Sequence, residues 1–196
     1  MKRLKKKANN LTLDLIEAIR KVCGSNKFDD LITLLPKIKD KYPDAIYSGN
    51  IYRKMIIPFE TLNNMNHYQE DDQEYIAKEE FIEQIKNFVT TGEWQSCTYS
   101  LDSCKDFYPL EDGISFIICF EGEGIDLQQL CEELSYDDDK DVVNQAEVLK
   151  QAYESEEEVV SKIPNDYEIV TINNEDINKL KFWIKIEFFD QQFEQN

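Results

Sequence analysis

The sequence is poor in histidine, glycine and basic residues, and each shortage excludes a class of function. Its 196 residues include one histidine, six glycines, and 22 lysines and arginines against 40 aspartates and glutamates. The single histidine, His67, lies in a polar stretch and cannot build a multi-histidine metal site, so we expect no metal. The formal net charge of −18 disfavours general nucleic-acid binding, because phosphates are neutralised by clustered lysine and arginine.

The common glycine-rich and nucleophile motifs are also missing. The chain contains no GxGxxG, GxxxxGK[ST] or GxSxG pattern, which argues against the usual nucleotide folds and hydrolase elbows. The segment GEGIDL (122–127) lacks the spacing of a phosphate loop. We predict that it is a turn after a strand.

Cysteine pairs and long apolar runs are missing too. The five cysteines form no CxxC pair and are odd in number, which favours reduced thiols and an intracellular protein. No apolar run approaches membrane-spanning length, and the basic start, KRLKKK (2–7), is not followed by the apolar core of a secretion signal. We therefore expect a soluble, cytoplasmic protein with no membrane partner.

The remaining composition is that of a folded domain. With 41% hydrophobic residues, the chain can bury a core, most simply as a single domain over 1–196. Helical spacing predicts two helices in the first forty residues and further helices near 76–88, 125–134 and 142–153. Strands are predicted at 50–57, 114–120, 167–172 and 180–188, with a polar loop at 63–74. This order predicts an α+β fold with an N-terminal helical part, 1–45, and a core, 46–190.

Three segments carry candidate chemistry, in a fixed order along the chain. Arg53 lies in the predicted strand NIYRKM, Thr98 and Ser100 lie in QSCTYSLD, and a run of glutamates in ESEEEVV precedes an apolar strand. Strand alternation would put Thr98 and Ser100 on one face. It would also project Glu156 and Glu158 together, roughly 6 to 7 Å apart, with Glu157 turned away. Taken singly, each segment also fits an ordinary exposed strand or a solvated acidic face.

Taken together, the segments resemble the mono-ADP-ribosyltransferase superfamily of the arginine, serine, glutamate class, which includes bacterial toxins and small phage enzymes. The resemblance runs from about 49 to about 172. The aromatic-arginine pair is Tyr52-Arg53, the hydroxyl motif is TYSL (98–101), and the carboxylate motif is EEEVVSKIP (156–164). The chain departs from the family where Lys54 follows the arginine, because glycine is frequent there.

The resemblance implies a mixed, mostly antiparallel split β-sandwich and an enzyme that transfers ADP-ribose from NAD to a target macromolecule with release of nicotinamide. In that family the residue matching Glu158 stabilises the oxocarbenium-like state and contacts the ribose. Arg53 would hold the NAD phosphates with its planar fork. Thr98 and Ser100 would contact NAD, and Thr98 would orient Glu158. Glu156 would orient an acceptor guanidinium, so the implied acceptor is a protein arginine.

The implied partners are NAD, as substrate, and a target protein with a basic surface; a nucleic-acid target is less expected for so acidic a chain. The expected location is the cytoplasm of a bacterial or phage-infected cell, or of a host cell into which the protein is delivered. Three alternatives stay open. Glu154 and Glu156 could be the working pair instead. The chain could also be an acidic interaction protein that mimics nucleic acid, or a catalytically inactive relative of the transferases.

Overall fold

The computed structural model describes residues 10–65, 68–70, 73–106, 113–153, 157–172 and 184–186. Within these ranges the chain forms seven α-helices, one 3-10 turn and eight β-strands. The predicted combination of helices with mostly antiparallel strands is confirmed. Across the same ranges, no helix has both the length and the apolar character that crossing a membrane requires.

Helices and strands follow one another in mixed order along the described residues. The α-helices are α1 Asn10–Ser25, α2 Asp29–Lys41, α3 Phe59–Asn63, α4 Lys78–Phe88, α5 Leu101–Asp106, α6 Leu127–Leu134 and α7 Lys140–Tyr153. The strands are β1 Ile46–Pro58, β2 Tyr68–Glu70, β3 Gln73–Ile76, β4 Trp94–Thr98, β5 Gly113–Asp126, β6 Glu158–Lys162, β7 Glu168–Ile172 and β8 Ile184–Ile186. The 3-10 turn Pro43–Ala45 joins α2 to β1.

The main sheet closes into a small barrel. Its strands run in the order β1-β4-β6-β5-β7, and β1 also pairs with β5, so β1, β4, β6 and β5 form a ring. All of these pairings are antiparallel, and β1 pairs with β5 along its whole length, from Ile46 with Ile125 to Pro58 with Gly113. A separate three-stranded sheet has the order β2-β3-β8.

Two local predictions were wrong. The predicted polar loop at 63–74 contains β2 and the start of β3. The predicted turn GEGIDL belongs to β5 as far as Asp126, and α6 begins directly after it. The glycines there serve close packing between strands: a Cβ on Gly124 would collide with the side chain of Val159 across the sheet. Their sequence signal was therefore mistaken for that of a turn.

The N-terminal and C-terminal helices share one hydrophobic core, which we call the helical core. The apolar positions of α1 recur at helical spacing, so Leu15, Ile19 and Val22 all point inward and are buried. They pack with α2, α6 and α7, and β6 contributes Val160. The helices therefore cover one side of the barrel.

A second core, the sheet core, lies on the other side of the β4–β6 pair. It contains Ile51 of β1, Phe116 and Ile118 of β5, and Val159 of β6, together with Phe81 of α4. Because successive strand residues point to opposite faces, Val159 and Val160 are buried in different cores. Strand β6 is thus buried on both faces from Glu158 to Ser161, and a polar residue on either of its faces lies close to a core.

Candidate functional site

Residues from the three predicted segments line up across neighbouring strands. Tyr52 of β1 lies directly opposite Thr98 of β4, and Thr98 lies directly opposite Glu158 of β6. Directly opposed residues in a sheet share a face. The hydroxyl of Thr98 and the carboxylate of Glu158 are therefore neighbours on the side that the helices cover, next to the strand that carries Arg53.

A cavity of about 610 Å³ lies against this face. That volume falls within the range of roughly 300 to 1,000 Å³ that is usual for small-molecule sites. The strands β1, β4 and β6 supply one wall, and the end of α1, the end of α7 and helix α5 supply the others. Arg53, Thr98 and Glu158, all predicted site residues, line the cavity together.

Glu158 is a buried carboxylate at the first position of β6. Its side chain is only 8% exposed. The hydroxyl of Ser96 donates a hydrogen bond to Oε1 of Glu158 over 2.5 Å. Such a bond offsets part of the large free-energy cost of taking a carboxyl group out of water. The fold therefore holds this group in place at the cavity instead of exposing it with the other glutamates.

Sequence reasoning missed Ser96, the hydroxyl that contacts Glu158 in the structure. The prediction that Thr98 and Ser100 share a strand face is wrong, because β4 ends at Thr98. The hydroxyls on the face of Glu158 are those of Ser96 and Thr98. The alternation of hydroxyl and apolar residues in Ser96-Cys97-Thr98 was the signal that could have identified Ser96. The segment TYSL was chosen instead because it resembles the hydroxyl motif of the family.

Ser100 makes hydrogen bonds at the start of α5, and its contact with NAD stays a prediction. Its hydroxyl accepts a hydrogen bond from the backbone N–H of Ser103 over 3.2 Å, so it caps the start of α5. Its own backbone N–H donates to Oγ1 of Thr98 over 3.1 Å. Within the described chain, Ser100 is not among the residues that line the cavity.

Two cationic side chains reach the cavity from β1. Nη1 of Arg53 donates a hydrogen bond to the backbone carbonyl of Ser96, while its Nε is buried without a partner among the described residues. Nζ of Lys54 donates to the carbonyl of Lys105 over 2.7 Å. Both side chains line the cavity, so this acidic protein presents positive charge there.

Glu157 has an unusual backbone conformation for a residue other than glycine. Its φ is +46°, in the left-handed region, which costs on the order of 1 kcal/mol or more for such a residue. Its carboxylate accepts a hydrogen bond from the hydroxyl of Ser103 over 2.7 Å. Hydrogen bonds from Ser103 and Ser100 lower the pKa of Glu157. The side chain of Glu157, the residue that directly precedes β6, thus links the start of this strand to α5.

The conformation of Glu157 bears on the predicted glutamate pair. Strand alternation was expected to place Glu156 and Glu158 on one face, but β6 begins only at Glu158. Side chains therefore do not alternate between two faces in the way that a strand requires for residues before Glu158. Glu154 and Glu156 lie outside the described residues, and the choice between the two registers stays a prediction.

Tyr153, the last residue of α7, is a further polar group on the cavity wall that sequence reasoning missed. It is 1% exposed, and its hydroxyl has no hydrogen-bond partner among the described residues. Burial, and to a lesser extent the negative charge of Glu158, raise its pKa well above the usual value. The phenol therefore stays protonated and can act as a donor. Nothing in the sequence distinguished it from a core aromatic residue.

Two thiols at the cavity, those of Cys97 and Cys104, are poor nucleophiles. Burial raises the pKa of Cys97 to about 12 and that of Cys104 to about 11, so both stay protonated near neutral pH. The described ranges also contain no group of three or more histidine, cysteine and acidic side chains placed to hold a metal ion. The polar groups that line this site include hydroxyls, two cations and the carboxylates of Glu158 and Asp106.

Comparisons with models of protein families, with curated proteins and with solved structures found no match for this chain.

Proposed function

We propose that this protein is an NAD-dependent mono-ADP-ribosyltransferase whose active site is the cavity in front of β1, β4 and β6. The observation that carries this proposal is the buried carboxylate of Glu158, which Ser96 holds and which lies in register with Thr98. Arg53, Thr98 and Glu158 belong to the three segments on which the family resemblance depends, and all three line one cavity.

Glu158 would act on the bond between nicotinamide and ribose. As that bond breaks, nicotinamide leaves with the bonding electrons and positive charge develops on the ribose. A carboxylate held in place beside it stabilises this charge, and more strongly in a site that excludes water than in bulk solvent. The acceptor then forms the new bond to the ribose carbon and loses a proton. Ser96 fits the role of orienting Glu158, which the resemblance had assigned to the hydroxyl motif.

The two cations on β1 would hold the phosphates of NAD. The fork of Arg53 is already fixed at one nitrogen by the carbonyl of Ser96, which reduces the conformational entropy lost on binding. Lys54 replaces the glycine that is frequent in the family and adds a second positive charge at the cavity. An anionic substrate would be attracted to this pair despite the net charge of −18.

The finer fold and the cellular context belong to the same proposal. The barrel and the separate β2-β3-β8 sheet would correspond to the two parts of the split β-sandwich of the family. The acceptor would be an arginine on a protein with a basic surface, because an acidic enzyme is steered towards such a surface. Glu156 would hold that guanidinium, and the enzyme would work in the cytoplasm.

The test is release of nicotinamide from labelled NAD, with and without a cell lysate that supplies acceptors. The wild type should release nicotinamide and transfer label to protein. The companion test is calorimetric titration with NAD of the wild type, Arg53→Lys and Arg53→Ala. Lysine should restore little of the affinity lost in alanine, because it cannot hold two oxygens in one plane. A wild type that neither binds nor cleaves NAD would refute the proposal and leave the acidic interaction protein as the better reading.

A further inference from the structure

The phenol of Tyr153 is a buried donor that the fold does not use. Tyr153 is 1% exposed and lines the cavity that contains Glu158. The thiol of Cys23 lies nearby, but sulfur is a weak acceptor, and the phenol has no hydrogen bond of acceptable geometry within the described chain. A buried polar group without a partner costs free energy, because it has lost its hydrogen bonds to water. A residue that served packing alone would avoid that cost as phenylalanine.

The charges around the phenol determine which ligand group it can bind. The phenol stays protonated because burial and the charge of Glu158 raise its pKa, so it offers a hydrogen to a ligand. Glu158 offers a charged acceptor on the same cavity wall. A hydroxyl both donates and accepts, so a single hydroxyl of the ligand can satisfy the carboxylate and the phenol together. A phosphate oxygen cannot do so, because it would meet the negative charge of Glu158.

We propose that Tyr153 is a specificity-determining residue that donates a hydrogen bond to a hydroxyl of the nicotinamide ribose, while that hydroxyl donates to Glu158. The inference rests on the proposed function and adds to it a reason for selecting ribose over deoxyribose. A site that provides both a donor and an acceptor for one hydroxyl discriminates against a ligand that lacks it, because the phenol of Tyr153 is then left without a partner.

The first experiment compares the wild type with Tyr153→Phe by calorimetric titration with NAD. The exchange removes one oxygen and keeps the ring, so the fold should be retained. Affinity for NAD should fall about five- to tenfold, the usual range for one lost hydrogen bond. The thermal midpoint should stay the same or rise, because an unpaired buried hydroxyl is removed. The matched control is Tyr136→Phe, since Tyr136 is 77% exposed, and neither quantity should change there.

The second experiment repeats both titrations with NAD analogues that lack either the 2′- or the 3′-hydroxyl of the nicotinamide ribose. The analogue missing the contacted hydroxyl should bind equally well to wild type and Tyr153→Phe, whereas the other should show the same loss as NAD. If Tyr153→Phe lowered the affinity for both analogues equally, the proposed contact between Tyr153 and a ribose hydroxyl would be wrong. Equal affinity of the two proteins for NAD would overturn the inference and leave the transferase proposal standing. A wild type that does not bind NAD would refute both.

Discussion

The two faces of the β4–β6 pair show how one short stretch of sheet serves stability and chemistry separately. On one face, Val159 is buried in the sheet core. On the other face, Ser96, Thr98 and Glu158 border the cavity. Val159 directly follows Glu158 in β6, so the same backbone hydrogen bonds position both. A substitution on one face should therefore change stability with little effect on activity, and one on the other face should do the reverse.

The strongest contrast is between two adjacent residues, Glu158 and Val159. Glu158→Gln keeps the shape and can still accept the hydrogen bond of Ser96, but it removes the charge that would stabilise the developing cation. Release of nicotinamide should fall by roughly 100- to 1,000-fold, as for other lost electrostatic groups. The free energy of unfolding should stay the same or rise, because a buried charge disappears.

Val159→Ala is the matched control for Glu158→Gln. Deleting two buried methyl groups should lower the free energy of unfolding by about 2 kcal/mol, measured by urea denaturation. Nicotinamide release per folded molecule should change by less than about threefold, since the side chain of Val159 points into the sheet core. Full activity in Glu158→Gln would contradict the assignment of the polar face.

The pair Ser96 and Ser161 should give a smaller contrast. Ser96→Ala removes the hydroxyl that donates to Glu158 and weakens the support of a buried carboxylate. The free energy of unfolding should fall by about 1 to 3 kcal/mol, and nicotinamide release by about tenfold. Ser161→Ala removes a buried hydroxyl that donates to the carbonyl of Glu123 and does not line the cavity, so it should lower stability by about 1 kcal/mol and leave release almost unchanged. If the two variants lost activity equally, Ser96 would have only a structural role.

The polar face of β4 is expected to end at Thr98, the last residue of the strand. Ser100 lies beyond β4 and caps α5, so Ser100→Ala should lower the free energy of unfolding by about 1 kcal/mol. Its affinity for NAD should stay within about twofold of the wild type. Thr98→Val, which keeps the shape but removes the hydroxyl on the cavity, should weaken NAD binding several-fold. The reverse result in calorimetry would restore the motif as the sequence predicted it.

The smallest effect concerns Glu157 and acid. Its pKa is lowered in the folded state, so the stability it contributes is complete above the usual glutamate pKa and is lost as the pH falls through the lowered value. Glu157→Gln should therefore lose stability less steeply than the wild type below the usual glutamate pKa. The difference should be about 0.5 kcal/mol, because solvent screens a partly exposed group. Denaturation curves at several acidic pH values measure it, and parallel slopes would contradict it.

The sequence predicted the periodic parts of the fold well, because periodicity reports directly on burial. The inward stripe of α1 and the apolar run at the centre of β5 are both in place. The sequence-based prediction failed where the conformation of a segment depends on residues that are far away in the sequence. Gly122 and Gly124 were taken for a turn because the close approach of Gly124 to β6 cannot be seen locally. The pairing of β1 with both β4 and β5, which closes the ring, is likewise a long-range property.

The residue types of the candidate site could be predicted from the sequence, but the positions of all its residues could not. Arg53, Thr98 and Glu158 could be selected from residue chemistry and order. The partner of Glu158 could not, because choosing Ser96 over Ser100 requires knowing that β4 ends at Thr98. Alternation was also extended through Glu157, whose positive φ breaks it. Tyr153 was missed because a buried hydroxyl without a partner can be recognised only when its surroundings are known.

The closure of the ring has a consequence for local dynamics. Within the described chain, β1 and β4 pair at a single position, Tyr52 with Thr98, whereas β1 pairs with β5 along its entire length. Opening the barrel between β1 and β4 breaks the fewest interstrand hydrogen bonds, so this seam has a lower opening free energy than the rest of the ring. The seam runs beside the cavity. A ligand that contacts β1 and β6 at once would bridge this seam. Its binding would therefore be coupled to the closing of the barrel.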